Sequence, residues 1–123
     1  MKTVTLALAK QLQEWRFPQT TEFIYLEWAH RSGIRSQLIP RSTPTKIGME
    51  FAAPVLEEIL ELLPDVNHHG TSYFLELGHG LDAKWLLTYR DVNDGQLNAW
   101  EGNDLVDLSA QCWLFLKEHN YID

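Results

Sequence analysis

From Tyr73 to Ala83 the chain reads Tyr-Phe-Leu-Glu-Leu-Gly-His-Gly-Leu-Asp-Ala, with Gly78, Gly80 and Ala83 in the G-x-G-x-x-A order of a nucleotide-phosphate turn. The chemistry implied would be backbone N–H groups cradling a phosphate where a helix opens inside a βαβ unit. The surroundings argue against it. Lys84-Trp-Leu-Leu-Thr-Tyr89 has the β-branched and aromatic character of a strand, and the 40 residues after Ala83 are too few to build a doubly wound sheet. Glycines at 78 and 80 serve a hairpin turn equally well, so no cofactor is assigned to this stretch.

Other residue types capable of chemistry fail on spacing. His68, His69 and His79 with Asp65 or Asp82 have the composition of a metal site, but adjacent histidines point in different directions and a tetrahedral site needs converging ligands. Cys112 falls on the apolar stripe of a helix, where a thiol is a core residue and not a nucleophile. Glu57, Glu58 and Glu61 read as the solvated face of a helix. No catalytic, metal-binding or cofactor-binding residue is therefore assigned. A small ligand-binding or enzymatic domain built on the 68–82 loops is the alternative, and it requires a pocket into which these polar groups converge.

The stronger signal is for an interaction surface. Arg31, Arg35, Arg41 and Lys46 cluster around a hairpin that also carries Tyr25 and Trp28. Basic side chains interleaved with aromatics can bind nucleic acid, which gives a second alternative, a weak binder acting through this hairpin. An overall charge of −7 counts against it. Five tryptophans, four tyrosines and five phenylalanines exceed the need of one small core, and aromatic residues are favoured at the centres of protein interfaces. Tyr25, Trp28, Arg31, Arg35, Arg41, Trp85 and Trp100 form the candidate interaction surface. Its partner is another protein or a second copy of this chain, since an open sheet edge at the first hairpin favours a symmetric homodimer.

The elements that must position these residues follow from periodicity. Leu8, Leu12 and Trp15 are at helical spacing within residues 4–15, a stretch that Phe17-Pro18 stops. Residues 22–28 and 34–39 read as two strands joined through Arg31-Ser32-Gly33. Pro40 to Lys46 reads as a loop. A second helix starts at Pro54, runs through Val55 to Leu63 and ends at Pro64. After a loop over 65–70, strands at 72–77 and 84–90 turn through 78–82, and a short strand near 96–100 follows Asn93-Asp94-Gly95. A last helix has Asn103 as its N-cap, Leu105, Leu108, Cys112, Phe115 and Leu116 as its buried stripe, and Asn120 as its close. The order α-β-β-α-β-β-(β)-α predicts an α+β domain, three helices laid on an antiparallel sheet of about four to five strands.

Composition bounds the rest. With 123 residues, 45% of them apolar, the chain is one domain over 1–123 with a real core. One cysteine excludes a disulfide framework and points to a reducing, cytoplasmic setting. The apolar patch at Val4 to Ala9 is too short for a signal peptide, and no run approaches a membrane span. Charge is divided unevenly: residues 1–46 carry net +4 and residues 47–123 net −11.

Leu6-Ala-Leu-Ala-Lys-Gln-Leu-Gln-Glu, Phe17-Pro-Gln-Thr-Thr-Glu-Phe, Ala52-Ala-Pro followed by Leu56-Glu-Glu-Ile-Leu-Glu-Leu-Leu-Pro64, the Lys84-Trp-Leu-Leu-Thr-Tyr strand and Asp104-Leu-Val-Asp-Leu-Ser-Ala run the length of the chain. In these the chain resembles a family of small, uncharacterised proteins of Bacteroidetes and their phages and prophages. The resemblance implies a bacterial, phage- or mobile-element-related protein and carries over no catalytic residue; the lack of a convergent polar constellation in the sequence is what makes the expected function non-enzymatic. Val55 stands where the relatives often have threonine, and the loop over 40–51 is longer.

Overall fold

A computed structural model describes residues 2–44, 46–80, 82 and 84–123. The α+β class expected from the sequence is the one observed, with three helices and two antiparallel sheets. Strands β1 (Phe23–His30), β2 (Gly33–Pro40) and β3 (Met49–Ala52) form the first sheet in the order β2-β1-β3. Strands β4 (Val66–His68), β5 (Thr71–His79), β6 (Trp85–Arg90) and β7 (Gln96–Gly102) form the second, in sequence order. Helix α1 (Leu6–Glu14) packs on β3 and on α3 (Leu105–Glu118), α2 (Leu56–Leu60) packs on α3, and α3 packs on β6 and β7. The helices thus lie between the two sheets. Val4, Leu12, Phe17 and Phe51 from one side meet Leu87, Tyr89, Cys112 and Leu116 from the other in one core.

The helix ends are set by backbone geometry more than by the residues that break helices. At α1, Arg16 adopts the left-handed conformation at φ 65°, Phe17 N–H donates to Leu12 C=O at 2.9 Å, and Arg16 N–H donates to Gln13 C=O at 3.0 Å. This paired closure ends the helix before Pro18 acts. It also leaves Trp15, expected in the apolar stripe, as an exposed C-cap. The same closure recurs after α3, where Asn120 has φ 58° and Tyr121 N–H donates to Leu116 C=O at 2.8 Å. The N-cap of α3 is Asp104 and not Asn103: its carboxylate accepts from Val106 N–H and Asp107 N–H. A carboxylate there adds its charge to the favourable end of the helix dipole.

Two strands correct the expected loops. Met49–Ala52 pairs antiparallel with Ile24–Glu27 of β1, within the stretch read as connecting chain. Val66–His68 pairs with Thr71–Tyr73, and the two-residue turn between them is His69-Gly70, with φ of 51° and 80°. Successive positive φ values make the primed turn that matches strand twist. Helix α2 is shorter than expected, because Leu62 N–H and Leu63 N–H donate three residues back, to Ile59 and Leu60, and tighten its end. Its Glu58 is structural, accepting from Val55 N–H at 2.9 Å and from Glu22 N–H at 3.0 Å.

Asp107 offers a test of how α1 and α3 meet. Its carboxylate accepts from Thr5 N–H at 3.2 Å. Burial, then the neighbouring Asp104 carboxylate, push its carboxyl above the ordinary value, with the Thr5 amide and Lys2 pulling the other way. The folded chain therefore holds this proton more tightly than the unfolded one, and the stability so gained at low pH is lost as pH rises above 3.8. Asp107→Asn keeps an acceptor for Thr5 and cannot ionise. Its urea midpoint is expected to exceed that of the native chain at pH 7, with the difference closing towards pH 3. Equal midpoints at both values would show that the carboxylate stays solvated.

Candidate functional site

The side chains considered for chemistry are dispersed. His68 lies on β4, its ring 4.0 Å from that of His69 and 4.9 Å edge-on to Tyr121. His69 itself is held in the left-handed turn conformation. His79 lies at the other end of β5, eight residues from Thr71 and thus about 26 Å along an extended strand, its ring tilted against that of Trp85 at 4.4 Å. Asp82 faces Lys84 at 4.0 Å, and Lys84 also faces Glu101 at 3.8 Å. A cavity of about 360 Å3 is lined by Gly78, His79, Gly80, Asp82, Lys84, Leu86 and Glu101, all at the solvent-facing tip of the second sheet. His68 and His69 have no part in it. Leu81 and Ala83, the remaining residues of the glycine-rich stretch, lie outside the described residues. Cys112 is fully buried, and burial pushes its thiol well above the ordinary range.

The seven residues of the expected interaction surface fall into three groups. Tyr25 and Trp100 pack against the main core: the Tyr25 hydroxyl donates to Val4 C=O at 2.7 Å, and Trp100 meets Phe115 edge-on at 5.4 Å. Trp85 is half-buried beside His79 on the second sheet. Trp28, Arg31 and Arg35 lie together on the outer end of the first hairpin. Arg41, expected with them, is tied inward, its Nε donating to Thr21 C=O at 2.6 Å, while Lys46 Nζ donates to the Arg41 carbonyl at 2.6 Å and pairs with Glu50 at 3.4 Å. The basic cluster is therefore divided between an exposed tip and an internal brace.

The first sheet positions that tip. The face of β1 turned to the helices carries Tyr25 and Glu27, with Glu27 paired to Lys10 of α1 at 2.6 Å. The opposite face carries Ile24 and Leu26, buried with Ile39 in a small separate cluster that Trp28 borders. Beyond Glu27 the support ends. β3 begins at Met49, opposite Glu27, so Trp28, Ala29 and His30 extend past it with β2 as their only strand neighbour among the described residues. A groove of about 740 Å3 opens there, lined by Trp28, Ala29 and Ile34 from the hairpin and by Ile47, Gly48 and Met49 from the approach to β3.

Sequence reasoning missed the aliphatic residues that rim it. Ile34 is 72% exposed, Ile47 79% and Met49 62%. Strand alternation makes Ile34 look like core and a loop assignment hides the other two. A signal was present in Arg35-Ser36-Gln37, three consecutive polar residues that put polar groups on both faces of β2. A strand of that kind cannot be buried on either side at its middle, so the hairpin must project.

The architecture defines a class: an α+β protein with a helical layer between two antiparallel sheets, one of which projects an uncovered hairpin. Compared with protein-family models, with curated proteins and with solved structures, the chain matches none. Among the described residues no helix is long and apolar enough to cross a membrane.

Proposed function

We propose that this chain works through protein–protein contact, with the outer end of the first sheet as the contact surface, and not through catalysis. The observation that carries the reading is the crowding of Ile34, Ile47 and Met49 around one groove beside Trp28. Single exposed apolar residues are ordinary on any protein, but several converging on a concave, unsupported sheet end mark an interaction site. The strand ends there offer unpaired edges as well as apolar contact, which suits a partner that presents an extended segment with aliphatic side chains. The polar groups of the 68–82 region lie at both ends of β5 and give a catalytic reading no comparable focus.

Two charges placed on the groove wall test it. Ile47→Asp with Met49→Asp alters exposed side chains, so folding is expected to change by no more than about 0.5 kcal/mol. Self-association is measured by sedimentation, and partners recovered from the native host are identified by mass spectrometry and remeasured as purified pairs. At least a tenfold loss of affinity in the doubly charged variant is expected. Complexes of unchanged affinity, or a chain that binds neither itself nor any identified protein, would overturn the reading.

A further inference from the structure

We propose that β2 pairs antiparallel with β2 of a second copy of this chain, with Ser36 facing Ser36 across a twofold axis. This rests on the protein-contact reading and names the partner. β2 is the outer strand of its sheet, and among the described residues no strand lies along its free side.

The ladder fixes which groups face that side. Arg41 N–H donates to Glu22 C=O at 2.8 Å, one step beyond the Phe23↔Pro40 pair, whereas Phe23 C=O accepts from Ala53 N–H at 3.0 Å on the β3 side. Even-numbered residues of β1 thus bond to β2, and their register partners there are Ile39, Gln37, Arg35 and Gly33. By alternation Ile34, Ser36 and Leu38 turn their N–H and C=O groups outward. Pro40, the next in that series, has no N–H, and its carbonyl accepts from Thr43 N–H at 3.0 Å. The available edge is therefore three residues long, bounded by a proline at one end and the hairpin turn at the other.

Those three residues are complementary to themselves. With Ser36 opposite Ser36, Ile34 faces Leu38 and Leu38 faces Ile34, and every outward group finds a partner. Sliding by two residues towards Pro40 sets Ile34 against a residue without N–H, and sliding the other way sets Leu38 against the turn. Ile34 and Leu38 are both exposed and share one face, so the same register brings the aliphatic side chains of the two copies together. On the other face Arg35 stands opposite Gln37, with no like charges directly paired. The Arg35 guanidinium is drawn back to its own turn, donating to Ser32 Oγ at 2.9 Å. An interface that maps one patch onto itself is the kind a twofold axis closes. Three residues a side make a small contact, below the roughly 1,200 Å2 of stable complexes, so the dimer is concentration-dependent.

Cysteine scanning reads the register directly, because Cys112 is buried and leaves the introduced thiol as the reactive one. In a hydrogen-bonded antiparallel pair the facing Cα atoms lie about 5.5 Å apart, within disulfide range. Ser36→Cys is expected to form a disulfide-linked dimer under mild oxidation at high-micromolar concentration. Ile34→Cys and Leu38→Cys each lie four residues from their own copy, about 13 Å, and are expected to remain monomeric alone yet cross-link when mixed. Ser36→Pro removes an N–H from the free side only, and it is expected to abolish dimer sedimentation with an unchanged circular dichroism spectrum. Equal yields from all three single-cysteine variants would overturn the register. So would a chain that stays monomeric while Ser36→Pro breaks its complex with a different protein. Association that Ile47→Asp with Met49→Asp abolishes but Ser36→Cys does not trap would remove this pairing and leave the protein-contact reading standing.

Discussion

Above pH 9 the protein will lose stability steeply, and Tyr89→Phe will flatten the loss. Two ionisable groups sit fully buried in the one core that joins the helices to the second sheet. Cys112 is on the buried stripe of α3, and the Tyr89 ring on β6 is solvent-inaccessible, its hydroxyl donating to Pro64 C=O at 2.8 Å. Burial pushes the Tyr89 phenol far above its ordinary 10.0, with smaller pushes from Cys112 and Asp65, and burial alone pushes the Cys112 thiol far above 9.0. In the unfolded chain both titrate at those ordinary values. The folded state keeps its protons while the unfolded state gives them up, so the stabilisation is intact below pH 9 and falls as pH rises. Each group contributes up to about 1.4 kcal/mol per pH unit, or roughly 2.7 kcal/mol per unit above pH 10 with both engaged. Against a total stability of about 5–15 kcal/mol, about two pH units above pH 10 suffice to unfold a domain at the lower end of that range.

Tyr89→Phe separates the two contributions. Without the hydroxyl the Pro64 carbonyl loses its donor, which costs about 1–2 kcal/mol at neutral pH. The variant is thus less stable than the native chain at pH 7, yet its stability falls with half the slope above pH 10. Urea midpoints taken from pH 7 to pH 11 should show the two curves converging. Parallel curves would mean that Tyr89 ionises within the fold.

The helices and most strands were readable because each carries several turns or alternations of a repeating pattern. α3 carries a stripe of about three turns from Leu105 to Leu116, of which Leu108, Cys112 and Leu116 are buried and Leu105 and Phe115 half-buried, and it closes at Asn120 as expected. β3 and β4 were not readable for the opposite reason. Met-Glu-Phe-Ala and Val-Asn-His are too short to display a period of two, and they exist because β1 and β5 offer them an edge. Of the proposed contact surface, the hairpin is legible in the sequence and the residues rimming its groove are not. The first hairpin projects, but of the aromatics expected as contact residues Tyr25 and Trp100 pack against the main core, Tyr25 on Val4 C=O and Trp100 on Phe115. What remains outside is aliphatic, and an isolated Ile34 or Ile47 gives no sequence sign of being uncovered until the strand ends around it are known. Of the expected basic cluster, Arg41 and Lys46 answer main-chain carbonyls just outside the first sheet, those of Thr21 and Arg41.

Gly48→Ala will cost far more than Gly33→Ala, although both glycines have positive φ in the first sheet. Gly33 closes the β1–β2 turn at φ 123°, and a Cβ added there would meet nothing within 4 Å. Its replacement carries the conformational penalty alone, about 1 kcal/mol. Gly48 has φ 140°, and a Cβ there would sit 2.5 Å from the Glu27 carbonyl oxygen and 3.3 Å from Leu26 Cδ1. A rotating side chain could yield, but the obstacle is the main chain of β1. The start of β3 must move away from β1, and with only four residues of pairing it has little to hold it. Conformational strain and lost contacts together should reach about 3 kcal/mol, measured by urea unfolding. The displaced residues are the Ile47–Met49 wall of the groove, so binding through that surface should fall with the pairing. Hydrogen exchange locates the damage: amides of Tyr25 and Glu27, which face β3, should exchange faster while that of Leu26, which faces β2, and those of α3 stay protected. Equal losses at the two glycines would mean that the wall yields without cost, and the groove would then lack the rigid side that a defined contact surface requires.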